Sequence, residues 1–187
     1  MKPAIIVVDM LKDTFKEGSQ LPITQEGRKI IPNLQKLLKE SRGNGFPIVF
    51  ACDSFLKEDF LFKGKTKFYS LQGTEGAEVI DELKPYPIDT ILPKRRFSAF
   101  FKTNLDQRLR SLGVDTIVVT GISTEVCVLA TALDGFCHDF YVILLEDCSA
   151  SRDQEIHRTC LSCYWNFSLY PLFRVMTLNE FLREVSS

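Results

Sequence analysis

Short apolar runs alternate with stretches of helical period along this chain. Ala4 to Val8 is a continuous apolar run closed by Asp9, the pattern of a strand buried on both faces. Residues 11–25 read as a loop punctuated by Gly18 and Pro22. From about Gln25 to Ser41, Ile30, Ile31, Leu34, Leu37 and Leu38 recur at three and four, which predicts a helix ended by Gly43-Asn44-Gly45. Pro47 to Cys52 predicts a second strand followed by Asp53. Residues 54–75 carry Phe, Lys and Gly without period and read as a long surface loop, and Gly76 to Leu83 as a short helix. Ile88 to Leu92 predicts a third strand, with Pro93 and Lys94 after it. Thr103 is the expected N-cap of a helix to Leu112, with Leu105, Leu109 and Leu112 on one face.

The β-branched run Ile117-Val118-Val119 predicts a fourth strand, stopped by Gly121. A helix follows at once, marked by Val126, Leu129, Ala130 and Leu133. Tyr141 to Leu145 predicts a fifth strand, residues 151–168 a polar-faced helix, Leu172 to Met176 a sixth strand, and Asn179 to Val185 a last helix. This alternation implies right-handed βαβ units: an α/β fold with a doubly wound parallel sheet and helices on both faces. No repeat, linker or low-complexity stretch divides the chain, so residues 1–187 are expected to form a single domain.

Composition narrows the partners. Hydrophobic residues make up 45% and charged residues 25%, as in an ordinary soluble globule. A formal net charge of −1 gives no electrostatic case for nucleic acid or a membrane surface. No apolar run approaches the ~20 residues of a membrane span, and the first residues lack the pattern of a signal peptide. The cytoplasm is therefore the expected compartment, and the six cysteines are expected to be free thiols. Of these, Cys52, Cys137 and Cys148 are expected to be buried near element ends. Cys160-x-x-Cys163 reads as helix packing, since no second pair completes a zinc set.

Doubly wound folds gather ligands at the carboxyl ends of their strands. Asp9, Asp53, Lys94 and Cys127 all follow predicted strands there. Cys127 falls in the first turn of a helix, where partial positive charge lowers a thiol pKa and free N–H groups can hold an oxyanion. The alternative for Cys127 is a small buried residue on a helix facing the sheet, and for Asp9 a loop or capping carboxylate. Arg95 and Arg96 flank Lys94 and either fork onto a substrate carboxylate or stay solvated. Phe15, Phe55 and Phe97 either line a pocket or bury a loop. His157 reads as a polar contact rather than a ligand.

Three segments, IIVVDMLKDTF at 5–15, LPKRRFSAFFKTNL at 92–105 and VVTGISTEVCVLATALDG at 118–135, together resemble the isochorismatase-like cysteine hydrolases in order and spacing. The resemblance implies a three-layer α/β/α fold with six strands in the order 3-2-1-4-5-6. It also implies catalytic roles for Asp9 (general base), Lys94 and Cys127 (nucleophile), and a cis peptide between Ile122 and Ser123. The oxyanion hole it implies is formed by the N–H groups of Ser123 and Cys127. Phe15, Phe97 and Arg95 are candidate substrate contacts. The family's habit is a homo-oligomer, dimer or tetramer, acting on a small-molecule substrate. The nicotinamidase branch binds a metal with an Asp-x-His pair after the second strand and a later histidine. This chain has Asp53-Ser54-Phe55, and about Tyr69 where that later histidine falls. No metal or other cofactor is therefore expected. The siderophore-pathway isochorismatases lack the cysteine, so the resemblance favours the amidohydrolase branch, similar to N-carbamoylsarcosine amidohydrolase. The expected function is a metal-independent hydrolase of a small amide or other C–N bond through a thioester. A non-catalytic ligand- or partner-binding member, or a hydrolase of an ester or vinyl ether, are the alternatives.

Overall fold

A computed structural model describes residues 1–166 and 168–186. Six parallel strands form one sheet in the order β3-β2-β1-β4-β5-β6. They are β1 (Pro3–Val8), β2 (Ile48–Asp53), β3 (Thr90–Lys94), β4 (Thr116–Ile122), β5 (Tyr141–Ala150) and β6 (Phe173–Met176). The helices are α1 (Pro22–Gly43), α2 (Leu105–Ser111), α3 (Leu129–Cys137), α4 (Gln154–Trp165) and α5 (Leu178–Val185).

Alternate residues of each central strand feed opposite faces of the sheet. Ile5, Val7, Phe50, Val118 and Ile143 pack under α1 and α5, with Leu34, Leu37 and Phe181. Ala4, Ile6, Val8, Val49, Val119 and Leu144 pack under α2, α3 and α4, with Leu109, Ala132 and Leu161. Every residue of β1, β2 and β4 is buried. The result is the expected three-layer α/β/α architecture, with the expected strand order. No helix among the described residues is long and apolar enough to cross a membrane.

Several boundaries differ from the pattern, each for a local reason. α1 begins at Pro22 rather than Gln25, because proline is pre-set for the first helical position and its missing N–H costs nothing there. The expected helix at 76–83 does not form. Glu75–Ala77 and Asp81–Leu83 are short 3₁₀ turns, while Glu78 and Ile80 hydrogen-bond across to the backbone of Lys12 and Met10. β3 is shifted two residues toward the C-terminus, so Lys94 is its last residue and pairs in register with Asp53. β5 runs on through Glu146 and Asp147 to Ala150, with a register irregularity opposite Val119–Gly121. α2 is short, and Thr103 lies one position before its N-cap, although its hydroxyl accepts from the Leu105 N–H at 3.2 Å. α4 spans Gln154–Trp165 and is capped by the Asp153 carboxylate; of the longer helix expected there, position 167 lies outside the described residues. α5 is closed at its start by a capping box between Thr177 and Glu180. Cys137 is exposed at the end of α3 rather than buried, Cys163 is exposed on α4, and all six thiols are free.

Candidate active site

Two hydrogen-bonded registers bring the rim residues together. Val8 of β1 pairs with Ala51 of β2 and with Gly121 of β4, so the residues following these positions share the sheet's carboxyl edge. Gly121 has φ +101°, and a Cβ there would collide with the backbone of Val8. Only glycine lets β4 run this close to β1 before the chain turns into the site. The next peptide, Ile122–Ser123, is cis.

Asp9 follows β1 in a left-handed conformation, φ +52°. Its N–H donates to the Ala51 carbonyl at 2.9 Å, and its Oδ1 accepts from the Asp53 N–H at 2.8 Å. Lys94 reaches in from the edge strand β3. Its Nζ donates to Asp9 Oδ2 at 2.8 Å, to Asp53 Oδ1 at 2.5 Å and to the Arg96 carbonyl at 3.2 Å. The ammonium has no solvent exposure. Burial alone pushes a lysine pKa down, but the charges of Asp9 and Asp53 outweigh it and hold Lys94 firmly protonated. Asp53 is pushed up to about 7, by burial first and by the nearby Asp9 charge second, with Lys94 opposing.

Cys127 sits in a π-helical turn, Thr124–Val128, that leads directly into α3. Its sulfur lies within 4.8 Å of a carboxylate oxygen of Asp9 and of Asp53. The lowered pKa expected from a helix start is not found. Burial, and then the Asp9 and Asp53 charges, push the thiol well above its ordinary value, and Lys94 only partly offsets them. At rest the nucleophile position therefore carries a neutral thiol beside a carboxylate. The turn is tethered at two successive residues. The buried Thr124 Oγ1 lies 2.8 Å from His157 Nδ1 on α4, and the Glu125 carboxylate accepts from the Ser151 hydroxyl. Neither tether is visible in sequence, where residues 124 and 157 belong to different elements.

The structure thus assembles Asp9, Lys94 and Cys127, adds Asp53 to the same cluster, and puts Ser123 at the start of the nucleophile turn. Of the three candidate substrate contacts, two are engaged by the protein itself. Phe15 is buried against Gly27 of α1 and Ile122, within the α1 core. Phe97 is half-exposed at the surface. Arg95 is occupied by the protein's own carboxylate: its Nη2 and Nε donate to Asp59 at 2.5 and 3.1 Å, with Arg96 on the same group at 3.2 Å.

Donor atoms of Asp9, Asp53 and Cys127 lie within 4.8 Å of one another, a spacing that suits a metal ion. Lys94 already delivers a cation to both of these carboxylates. Phe55, where the nicotinamidase pattern has one histidine, and Tyr69, at about the place of the later one, are in edge-to-face contact, ring centroids 5.2 Å apart. The chain does not supply that ligand set.

Comparison with known proteins agrees with this fold. The isochorismatase domain model matches residues 3–164. The ureidoacrylate amidohydrolase of Pantoea ananatis (strain LMG 20103) is 30% identical over 176 residues, covering 81% of this chain and 70% of that protein. An isochorismatase-like hydrolase from Alkaliphilus metalliredigens superposes with a TM-score of 0.87 at 35% identity, covering 99% of this chain and 100% of that one. N-carbamoylsarcosine amidase from Thermoplasma acidophilum gives 0.82 at 32% identity, with 96% and 98% covered. A doubly wound sheet with an acid, a lysine and a thiol converging at its carboxyl edge, matched along nearly its whole length by these proteins, is a member of the isochorismatase-like hydrolase family.

Proposed function

We propose that the protein is a cysteine amidohydrolase that cleaves a small amide or ureido C–N bond through a thioester on Cys127, with no metal. The observation that carries this reading is the convergence of three elements on one sulfur. A carboxylate oxygen of Asp9 lies within 4.8 Å of the Cys127 sulfur, and Lys94 holds Asp9 at 2.8 Å.

The raised thiol pKa sets the order of proton movements. As Cys127 Sγ attacks the carbonyl carbon, its proton passes to Asp9, so no free thiolate has to exist in the buried site. The tetrahedral oxyanion is held by the N–H groups of Ser123 and Cys127 at the start of the turn. The C–N bond then breaks, and the leaving nitrogen takes the proton from Asp9, giving ammonia or an amine and the thioester. Water attacks the thioester while Asp9 takes one of its protons. The C–S bond breaks, and Asp9 returns that proton to sulfur. Lys94⁺ offsets the negative charge that develops nearby. The relatives named for ureidoacrylate and N-carbamoylsarcosine support a ureido or amide substrate over an ester.

The test is ammonia release from a panel of small amides and ureido compounds, including ureidoacrylate, N-carbamoylsarcosine and nicotinamide. Cys127→Ala is expected to abolish release while leaving the circular dichroism spectrum unchanged. A mass adduct of the acyl group on Cys127 should be trapped by rapid acid quench. Release by Cys127→Ala at wild-type rate would refute the mechanism. Hydrolysis of the matching esters but none of the amides would favour the ester-hydrolase alternative.

A further inference from the structure

A second cleft, of about 320 Å³, lies between α1, the end of β5 and α4. The catalytic cluster is drawn from β1, β2, β3 and the turn after β4, whereas β5 flanks β4 on the other side. Among the described residues, the wall of this cleft includes none of Asp9, Asp53, Lys94 or Cys127. It does include both anchors of the nucleophile turn. His157 meets Thr124 at 2.8 Å, and Ser151 donates to Glu125.

One wall residue, Ser149, has an unanswered polar group. Cys148 and Ala150 pack in the core under α1, so Ser149 between them turns toward α4. Its hydroxyl is buried and has no hydrogen-bond partner among the described residues. Native folds rarely leave a buried hydroxyl in this state, and the chain itself supplies no partner.

The charge on the wall selects the kind of partner. Four carboxylates stand against two cationic side chains. Glu26 and Lys29 neutralise each other at 2.5 Å, and the Asp153 carboxylate caps the first N–H groups of α4. That leaves Glu146 and Asp147 against Arg158 alone. Burial pushes the His157 pKa down, so this residue adds no positive charge at neutral pH. The Trp165 indole N–H donates to the Glu146 carboxylate at 3.1 Å, which sets an aromatic ring and an anion side by side, and the buried Leu161 adds an apolar flank. A carboxylate next to an aromatic face is a favourable setting for a cation.

We propose that this cleft is an effector site for a small aliphatic primary ammonium ion. The ammonium donates to the Ser149 hydroxyl and the Glu146 carboxylate, and the alkyl chain lies along Leu161 and the Trp165 ring. The volume lies at the small end of the range for ligand sites, which limits the occupant to a short chain. Occupancy reaches the nucleophile because the ligand packs against His157 and Ser151, the two residues that hold its turn.

Trp165 is the chain's one tryptophan, so its emission reads the cleft directly. The test titrates n-butylammonium, 1-butanol and butyrate, three isosteres of different charge, into the full chain at neutral pH and constant ionic strength. Butylammonium is expected to saturate with a Kd of about 1 mM. The neutral and anionic isosteres should bind about 10-fold more weakly or worse. Ser149→Ala removes an oxygen the protein does not use, and Glu146→Gln keeps an acceptor for the Trp165 N–H. Each should weaken butylammonium about 10-fold. The effector role is read by hydrogen exchange of the Val126 and Val128 amides, which donate to the Ser123 carbonyl at 3.0 and 3.2 Å. Saturating butylammonium should slow their exchange about threefold or more in the wild type. No saturable change in emission, or equal affinity for butanol or butyrate, overturns the site. Undiminished binding in both variants overturns its placement on Ser149 and Glu146. Saturable binding with unchanged exchange overturns the effector role. Neither measurement requires turnover, so the amidohydrolase reading stands or falls separately.

Discussion

Lys94→Met removes the one cation from a buried cluster and keeps most of its volume. In the wild type the ammonium is fully enclosed and bonded to Asp9 at 2.8 Å and Asp53 at 2.5 Å. Replacing one member of a buried charge pair typically costs about 3–5 kcal/mol, because the partner is left uncompensated. Two carboxylates share this lysine, so the loss is expected at the upper end of that range near pH 8. It is a large fraction of a domain stability of about 5–15 kcal/mol. The effect should shrink at pH 5, where the orphaned carboxyls can take up protons. The sign follows from linkage. Without the cation, burial and the nearby Asp9 charge raise the folded-state pKa of Asp53 further above the unfolded value near 4. A raised carboxyl pKa contributes stability that is present below the unfolded value and lost as pH rises through the folded one. Asp53, pushed up to about 7 even with Lys94 present, already gives the wild type a mild slope of this kind.

Urea unfolding followed by circular dichroism at pH 5 and pH 8 measures both quantities. The double variant Asp53→Asn/Lys94→Met, which removes one carboxylate along with the cation, should recover a substantial part of the loss at pH 8. A Lys94→Met protein within about 1 kcal/mol of wild type at pH 8, or one equally destabilised at both pH values, would refute the electrostatic account of the cluster.

Two further outcomes follow from the nucleophile turn and the strand that leads into it. Thr124→Val removes the hydroxyl that meets His157 at 2.8 Å; it should lower kcat about 10-fold or more with little change in KM, whereas Thr124→Ser should stay within about threefold. Steady-state kinetics on any hydrolysed amide decides this, and equal kcat in both variants would show the tether to be irrelevant to catalysis. Gly121→Ala combines a disfavoured φ of +101° with a clash against the Val8 backbone, so it should cost about 3 kcal/mol or more in chemical denaturation. A loss under 1 kcal/mol would mean that β1 and β4 can move apart.

The chain's periodicity was enough to predict six strands, their alternation with helices and the layered class, because fully buried parallel strands require unbroken apolar runs such as Ala4–Val8 and Ile117–Val119. Failures fell where local propensity yields to long-range pairing. Glu78–Ile80 looks helical in isolation but is extended because the backbone of Met10 and Lys12 pairs with it. Glu146 and Asp147 look like a strand end, yet β5 continues through them along β4.

The residue types able to do the chemistry, Asp9, Lys94 and Cys127, were evident from the order of elements and the motifs, since each falls at the carboxyl end of a strand. Their energetic state was not. Whether a thiol is acidic depends on what surrounds it, and only the folded sheet puts Cys127 beside two buried carboxylates and raises its pKa. The same holds for Arg95, which looks free in sequence and is tied to Asp59 in space. Sequence alone determined which groups were available and which faces of the elements were apolar, because those depend on neighbours one to four residues away. Tertiary structure decided which charges meet and which polar atoms go without a partner, because electrostatic and hydrogen-bond energies depend on distance in space and on the exclusion of water.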